Sequence, residues 1–189
     1  MVPKSVAMVL SAAIAAVIAG CTSAPVSTST PTTAPSGSTL LPTAYGGCGP
    51  TQVTDGTSPP PSWALQGFNG WPGLHWAASA SSNIVAILFA VELVAKGVRP
   101  DGGSNKILWV TQTPATQLTI VAHPAGASTP MVNINFPTNE EDQTPSYVNL
   151  PTPGCWSFQL SWGAVRTTSA SLDLWVLPAG SVPGRTTGG

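Results

Sequence analysis

The segment from Cys155 to Trp162 constrains the fold most, because its side chains alternate between two chemical types. Every second residue is large and apolar, namely Trp156, Phe158, Leu160 and Trp162, whereas the residues between them are Ser157, Gln159 and Ser161. A period of two is that of a β-strand with one buried face. We therefore predict a strand here, with its aromatic face in the core.

Six further runs are rich in β-branched and aromatic residues and are bounded by Gly, Pro, Asn or Asp, as strands are. They are Asn83 to Val94, Lys106 to Gln112, Gln117 to His123, Met131 to Phe136, Tyr147 to Leu150 and Ser171 to Leu177. Their spacing suits antiparallel hairpins better than helical crossovers. The sequence thus predicts an all-β, antiparallel β-sandwich of about seven strands.

Two of these runs depart from strict alternation. Ile84 to Val94 is apolar on both faces, which is typical of a central strand but also of a buried helix, and periodicity does not decide between them. In the last run, Leu172, Leu174 and Val176 share one face, so we expect Trp175 on the outward face.

The N-terminus has the three regions of a signal peptide, which we assign to residues 1–20. Lys4 supplies the positive start, Ser5 to Ile18 form the apolar run, and small residues precede Cys21. The apolar run is shorter than the roughly 20 residues that cross a bilayer. An ordinary cleaved signal with a nearby cysteine is the alternative interpretation.

The four residues Ile18-Ala19-Gly20-Cys21 resemble the lipobox of bacterial lipoproteins. The resemblance implies that the Cys21 sulfur receives a diacylglyceryl group and that a dedicated peptidase cuts before it. Two or three acyl chains anchor a protein durably. The expected location is the extracytoplasmic face of a cell membrane.

The other two cysteines, Cys48 and Cys155, lie in the body of the chain. In an oxidising compartment they can pair. A zinc site is the weaker interpretation, because neither has a Cys or His nearby at the short spacing of such sites. We predict a Cys48–Cys155 disulfide and no metal site.

Composition sets the remaining boundaries. Residues 21–47 hold the lipidated cysteine and then a segment, Thr22 to Pro42, that is almost entirely Ser, Thr, Pro, Ala and Gly, which predicts a disordered tether, either plain or O-glycosylated. The β-sandwich domain is expected over residues 48–178, and a disordered tail over 179–189.

A second resemblance rests on Asn105-Lys106-Ile107-Leu108-Trp109 and on Pro153-Gly154-Cys155-Trp156 with the alternating strand after it. Together they resemble a small exported domain of uncharacterised bacterial lipoproteins. This resemblance implies an immunoglobulin-like sandwich over about residues 62–178. It implies no chemistry.

Charge limits the function. Only 7% of residues are charged, against about 25% in typical domains, and the formal net charge is -1. No basic field is present to attract nucleic acid. Titratable groups are few, and the elbow, phosphate-loop and metalloprotease motifs are absent, so we expect no catalytic residues and no cofactor.

Three features could still carry chemistry. His75 and His123 could serve a small hydrolase, although a structural role is the simpler interpretation of each. The acidic run from Asn139 to Asp142 could bind calcium, but it lacks the ligand pattern and glycine of an EF-hand loop, which favours a solvated loop.

Aromatic residues offer the last candidate site. The chain has seven Trp, most of which we expect in the core. Trp63, Trp71 and Trp76, with His75, lie in a Gly/Pro-rich loop and form the candidate ligand-binding platform.

The sequence thus favours a non-catalytic cell-envelope binding or structural module that contacts the membrane through its lipid anchor. The alternatives are a carbohydrate or cell-wall binding module that uses the loop tryptophans, and a small extracytoplasmic hydrolase. A glycan or a protein of the envelope is the expected partner.

Overall fold

A computed structural model describes residues 46–66, 73–97, 99–139, 142–163 and 166–182. Within them the chain is all-β and forms two sheets. The strands are β1 His75–Ala78, β2 Ile84–Leu88, β3 Leu93–Val94, β4 Lys106–Thr111, β5 Gln117–Pro124, β6 Val132–Pro137, β7 Gln143–Tyr147, β8 Gly154–Trp162 and β9 Thr168–Leu177. One sheet has the strand order β1-β2-β4-β7 and the other β3-β9-β8-β5-β6. All pairs are antiparallel except β3 with β9.

The core lies between the two sheets, as the alternation in the sequence predicts. The four apolar residues of β8 are all buried, and Gln159 on its other face is exposed. Trp109 of β4 meets Phe158 of β8 across the core, with ring centroids 5.8 Å apart. Burying one such side chain contributes about 1.5–3 kcal/mol, so the inward row of β8 is a substantial part of the apolar burial that favours folding. This confirms the predicted β-sandwich.

The run Asn83 to Val94 forms neither one strand nor a helix. It contains β2 in the four-stranded sheet, a bend at residues 89–92, and β3 in the five-stranded sheet. All five residues of β2 are buried because its outer face is covered as well as its inner face. The continuous apolar run therefore reflects a chain that crosses the core from one sheet to the other.

Two strands differ from the sequence-based prediction. The sequence predicts a strand over Tyr147 to Leu150, but β7 is Gln143–Tyr147 and residues 148–150 follow it. Its sequence contains Pro145, which suits β7 because this strand lies at the edge of its sheet. The sequence does not predict strand β1, because β1 lies in the loop expected to carry the tryptophan platform.

The N-terminal segment of the described chain crosses between the sheets. Gly47 forms a β-bridge with Leu174 of β9, and Thr54 forms one with Trp76 of β1. Between them Cys48 is joined to Cys155 of β8, with Cα atoms 5.9 Å apart. This confirms the predicted disulfide. The folded domain also begins earlier than predicted, because Gly46 and Gly47 of the predicted tether are buried.

Gly46 can be only glycine at this point. Its φ is 87°, and a Cβ atom would lie against the carbonyl oxygen of Val91. The segment thus starts pressed against the bend between β2 and β3.

Several predictions fall outside the described residues. They concern the signal peptide, Cys21, the tether as far as residue 45 with its glycosylation, and the tail from residue 183. Over the described ranges, no helix has both the length and the apolar character that crossing a bilayer requires.

Candidate binding surfaces

The predicted platform belongs to the packing around the four-stranded sheet. Trp63, in a 3-10 helix over Ser62–Leu65, and Trp76 of β1 are both half-buried. They pack on the outer apolar cluster of Ala64, Val85, Ile87, Leu108 and Val110. Trp71 lies outside the described residues. Trp63 and Trp76 therefore shield the outward side of β2 and β4.

The polar atoms of Trp76 are also engaged in the fold. Its indole Nε1 donates to the Ser58 carbonyl at 2.9 Å, and its own carbonyl accepts bonds from the Thr54 amide (2.9 Å) and hydroxyl (3.0 Å). These bonds fasten the N-terminal segment to β1. For Trp76, a ligand contact is not needed to explain its position.

His75, the fourth residue of the predicted platform, is half-buried at the start of β1. The carboxylate of Asp55 lies near this histidine but has hydrogen-bond partners of its own. The Thr57 hydroxyl, which donates to that carboxylate at 2.6 Å, is the main cause that lowers the pKa of Asp55, and the Thr57 amide adds to it. The Asp55–Thr57 turn thus stabilises the carboxylate locally.

Two aromatic residues that are exposed in the described part of the chain were not singled out from the sequence. Phe89 is 40% exposed and Tyr147 is 59% exposed, at the ends of β2 and β7. Lys106 of β4 lies between them, paired with Tyr147, and its Nζ is 4.5 Å from the Phe89 ring centroid. The ammonium group over the ring is a cation–π contact, which occupies one face of Phe89.

A groove crosses the outward face of the five-stranded sheet and has a volume of about 450 Å³. Its polar lining is uncharged and comes from Gln159, Ser161, Ser169 and Ser171 of β8 and β9. Val121 of β5 supplies an apolar, half-buried element. The β-pairing aligns these side chains in rungs, with Val121 opposite Gln159 and Gln159 opposite Ser171.

The lining residue Gln159 is held by a buried histidine. Its side-chain Nε2 lies 3.2 Å from Nε2 of His123, whose Nδ1 lies 3.0 Å from the Pro124 carbonyl. An amide nitrogen only donates, so Nε2 of His123 accepts and Nδ1 carries the proton that it donates to Pro124. His123 is 7% exposed, and this pairing gives it a supporting role.

The neighbouring rung places His123, Ser157 and Asp173 side by side on three adjacent strands. The order differs from that of a nucleophile activated by histidine, because Ser157 donates to Asp173 at 2.6 Å and His123 bonds to Gln159 and Pro124 instead. The Asp173 amide donates to the Thr51 hydroxyl at 2.8 Å. These hydrogen bonds connect β8, β9 and the N-terminal segment.

The other titratable candidates are separated. His75 lies in the four-stranded sheet and His123 in the five-stranded one. In the acidic run, Asn139 Oδ1 accepts from the Gln143 amide at 2.8 Å and Asp142 Oδ1 accepts from the Ala115 amide at 2.9 Å, which orders the turn before β7. Glu140 and Glu141 lie outside the described residues. In the portion of the chain that the structure describes, no group of three or more His, Cys, Asp or Glu residues could hold a metal ion.

The sequence carried a signal for the groove but none for the exposed aromatic residues. The alternation in β8 already assigns Ser157, Gln159 and Ser161 to one face, and Ser171 follows from the pattern in β9. What the sequence does not give is which strands are neighbours. Phe89 and Tyr147 come together only through the pairing of β2, β4 and β7.

Comparison with known proteins adds no relative: no family model, no curated protein and no solved structure matches this chain.

Proposed function

We propose that the chain is an exported lipoprotein, acylated on Cys21, that presents its β-sandwich as a non-catalytic binding module on the extracytoplasmic face of a cell membrane. The sequence support is the signal peptide with Ile18-Ala19-Gly20-Cys21 at its end. A protein with this pattern is exported, so its folded domain is expected outside the cytosol.

The observation that carries the proposal is the disulfide between Cys48 and Cys155. It uses two of the three cysteines of the chain, both in the folded domain, and disulfides form and persist in oxidising compartments outside the cytosol. The third cysteine is the one in the lipobox-like motif. The disulfide and the leader thus support the same compartment by independent routes.

Export and anchoring are tested by labelling cells with a fatty-acid analogue. Wild-type protein should carry the label, and intact-mass measurement should find a mature N-terminus at residue 21 bearing acyl chains. The Cys21→Ala variant should be unlabelled, and the matched Cys48→Ala/Cys155→Ala variant should be labelled as wild type. Equal labelling of wild type and Cys21→Ala would reject the anchor.

The immunoglobulin-like description of the sandwich belongs to the same proposal. It is supported by two facing sheets of four and five strands with one shared core. Trp109 and Trp156, which belong to the two motifs behind the resemblance, are both fully buried in that core. An experimental structure that can be superposed on immunoglobulin domains strand by strand would test it.

Carbohydrate binding is the second candidate, and we relocate its site. The groove on the five-stranded sheet presents hydroxyl and amide groups, whereas Trp63 and Trp76 cover the opposite sheet. Alanine variants of Trp63 and Trp76 should therefore lower the stability of the fold rather than act directly on glycan binding. If either variant kept its stability and lost glycan binding, the original platform would be correct.

A further inference from the structure

We infer that the groove across β5, β8 and β9 is the ligand site of this module and that its ligand is a neutral oligosaccharide. The inference rests on the proposed function, since it names the site and ligand class of that binding module. The groove's volume of about 450 Å³ lies within the roughly 300–1,000 Å³ range of ligand pockets. It is large enough for a short run of sugar rings.

The lining chemistry determines the charge of the ligand. Gln159, Ser161, Ser169 and Ser171 offer donors and acceptors without charge, and none of the described residues that line the groove is charged. A charged group brought into contact with this lining would lose water without gaining an opposite charge. Neutral sugar hydroxyls both donate and accept, so they match serine hydroxyls and an amide. Val121 provides an apolar surface for the C–H face of a ring.

The centre of the groove favours a sugar over a peptide. Extended peptides bind sheets by adding a strand at a free edge, where main-chain groups are unpaired. Strand β8, which carries Gln159, is paired on both sides, with β5 and with β9, whereas β9 is paired with β8 alone over Ser169 to Ser171. A ligand that lies over the face of β8 must therefore be recognised by side chains, which is how hydroxyl-rich ligands are recognised.

The main polar contact is positioned before a ligand arrives. The buried His123 accepts a hydrogen bond from the Gln159 amide nitrogen, so the orientation of this exposed side chain is restricted. The Gln159 Oε1 has no hydrogen-bond partner among the residues described, and it remains available as an acceptor for a sugar hydroxyl. Restricting a side chain in advance lowers the entropy lost on binding.

The test uses the mature chain purified in detergent and an array of neutral and acidic oligosaccharides, followed by calorimetry with the best neutral binder. Gln159→Ala should weaken binding about 3- to 10-fold, which is the loss expected for one hydrogen bond. Ser171→Tyr should abolish binding by filling the groove. Gln112→Ala, the same change at an exposed residue outside the groove, should bind as wild type.

Each variant is first checked by circular dichroism and by its unfolding midpoint, so that loss of binding is not loss of fold. Absence of binding to every neutral oligosaccharide, a preference for acidic ones, or unchanged binding by Gln159→Ala would overturn the inference. Its failure is distinct from failure of the proposed function. Labelling on Cys21 together with capture of an envelope component that persists in Ser171→Tyr would reject the groove and keep the binding module.

Discussion

Replacing Asn105 with Leu should be among the most destabilising single changes in the domain. Asn105 is 1% exposed and precedes β4 in the four-stranded sheet. Its Oδ1 accepts from the Val94 amide at 2.9 Å, and its Nδ2 donates to the carbonyls of Val94 (2.7 Å) and Val148 (3.3 Å). Because Val94 belongs to β3 of the other sheet, this amide connects the two sheets.

The magnitude follows from what the substitution leaves behind. Leucine branches at Cγ as asparagine does, but it is larger and cannot pair with the main chain, so three hydrogen bonds are lost. The two to carbonyl groups are each worth about 0.5–1.5 kcal/mol. Losing the third costs about 1–3 kcal/mol, because the buried Val94 amide is left without a partner. We expect the free energy of unfolding to fall by about 3–5 kcal/mol, a large share of the roughly 5–15 kcal/mol that stabilises a domain.

The assay is equilibrium unfolding in urea with the disulfide intact, followed by tryptophan fluorescence. Asn133→Leu is the matched control, since Asn133 is an exposed asparagine on β6, and it should change stability by less than about 0.5 kcal/mol. If Asn105→Leu also lost less than about 1 kcal/mol, the connecting role given to this amide would be wrong. If Asn105→Leu is unfolded without denaturant, a stabilising osmolyte added to both proteins restores a measurable transition.

Three further predictions concern other regions of the domain. Replacing both Cys48 and Cys155 with Ser removes a cross-link between residues 107 positions apart in sequence. The chain-entropy model then gives a loss near 4.7 kcal/mol in the free energy of unfolding, and an unchanged urea midpoint would contradict it. Trp76→Phe removes the indole bond to Ser58 but keeps most of the ring packing, so it should cost about 1 kcal/mol, less than Trp76→Ala; a Trp76→Phe variant as stable as wild type would refute the contribution of that bond. The pKa of Asp101 is held below its usual value by a hydrogen bond from Arg99 and by another from the Gly103 amide. The stability that the Asp101 carboxylate contributes is therefore present above about pH 4 and lost as pH falls further. Asp101→Asn should flatten that acid limb of the stability profile, and an unchanged limb would argue against the pair.

The strands that the sequence predicted well are those with one chemical environment along each face. In β8 and β9 the inward residues are large and apolar and the outward ones are mostly polar, so the pleat can be read from the residues. In β7 the sequence Gln-Thr-Pro-Ser-Tyr carries polar residues on the buried face. Ser146 is buried there because it accepts a bond from Nε1 of Trp109 at 2.8 Å, and a pattern search for apolar residues misses such a strand.

For the candidate sites as well, some features follow from residue type and others depend on which residues are neighbours in space. The tryptophan platform was inferred from residue type in a loop, but exposure is decided by what lies next to a side chain in space. Trp63 and Trp76 are half-buried because β2 and β4 present an apolar outward face that needs a cover. The groove, in contrast, is built from serines and a glutamine whose types alone are unremarkable on any protein surface.

The sequence by itself determined the all-β class, the buried face of β8 and of β9, and the pairing of Cys48 with Cys155. The reason is that the two-residue alternation, the turn residues and the number of cysteines are local or countable properties. Only the tertiary structure decided that the run Asn83 to Val94 divides between two sheets. It also decided that Asn105 connects those sheets and that Gln159 and Ser171 share a groove. These facts depend on which strands become neighbours, and that is fixed by how all the apolar faces are buried together rather than by any one segment.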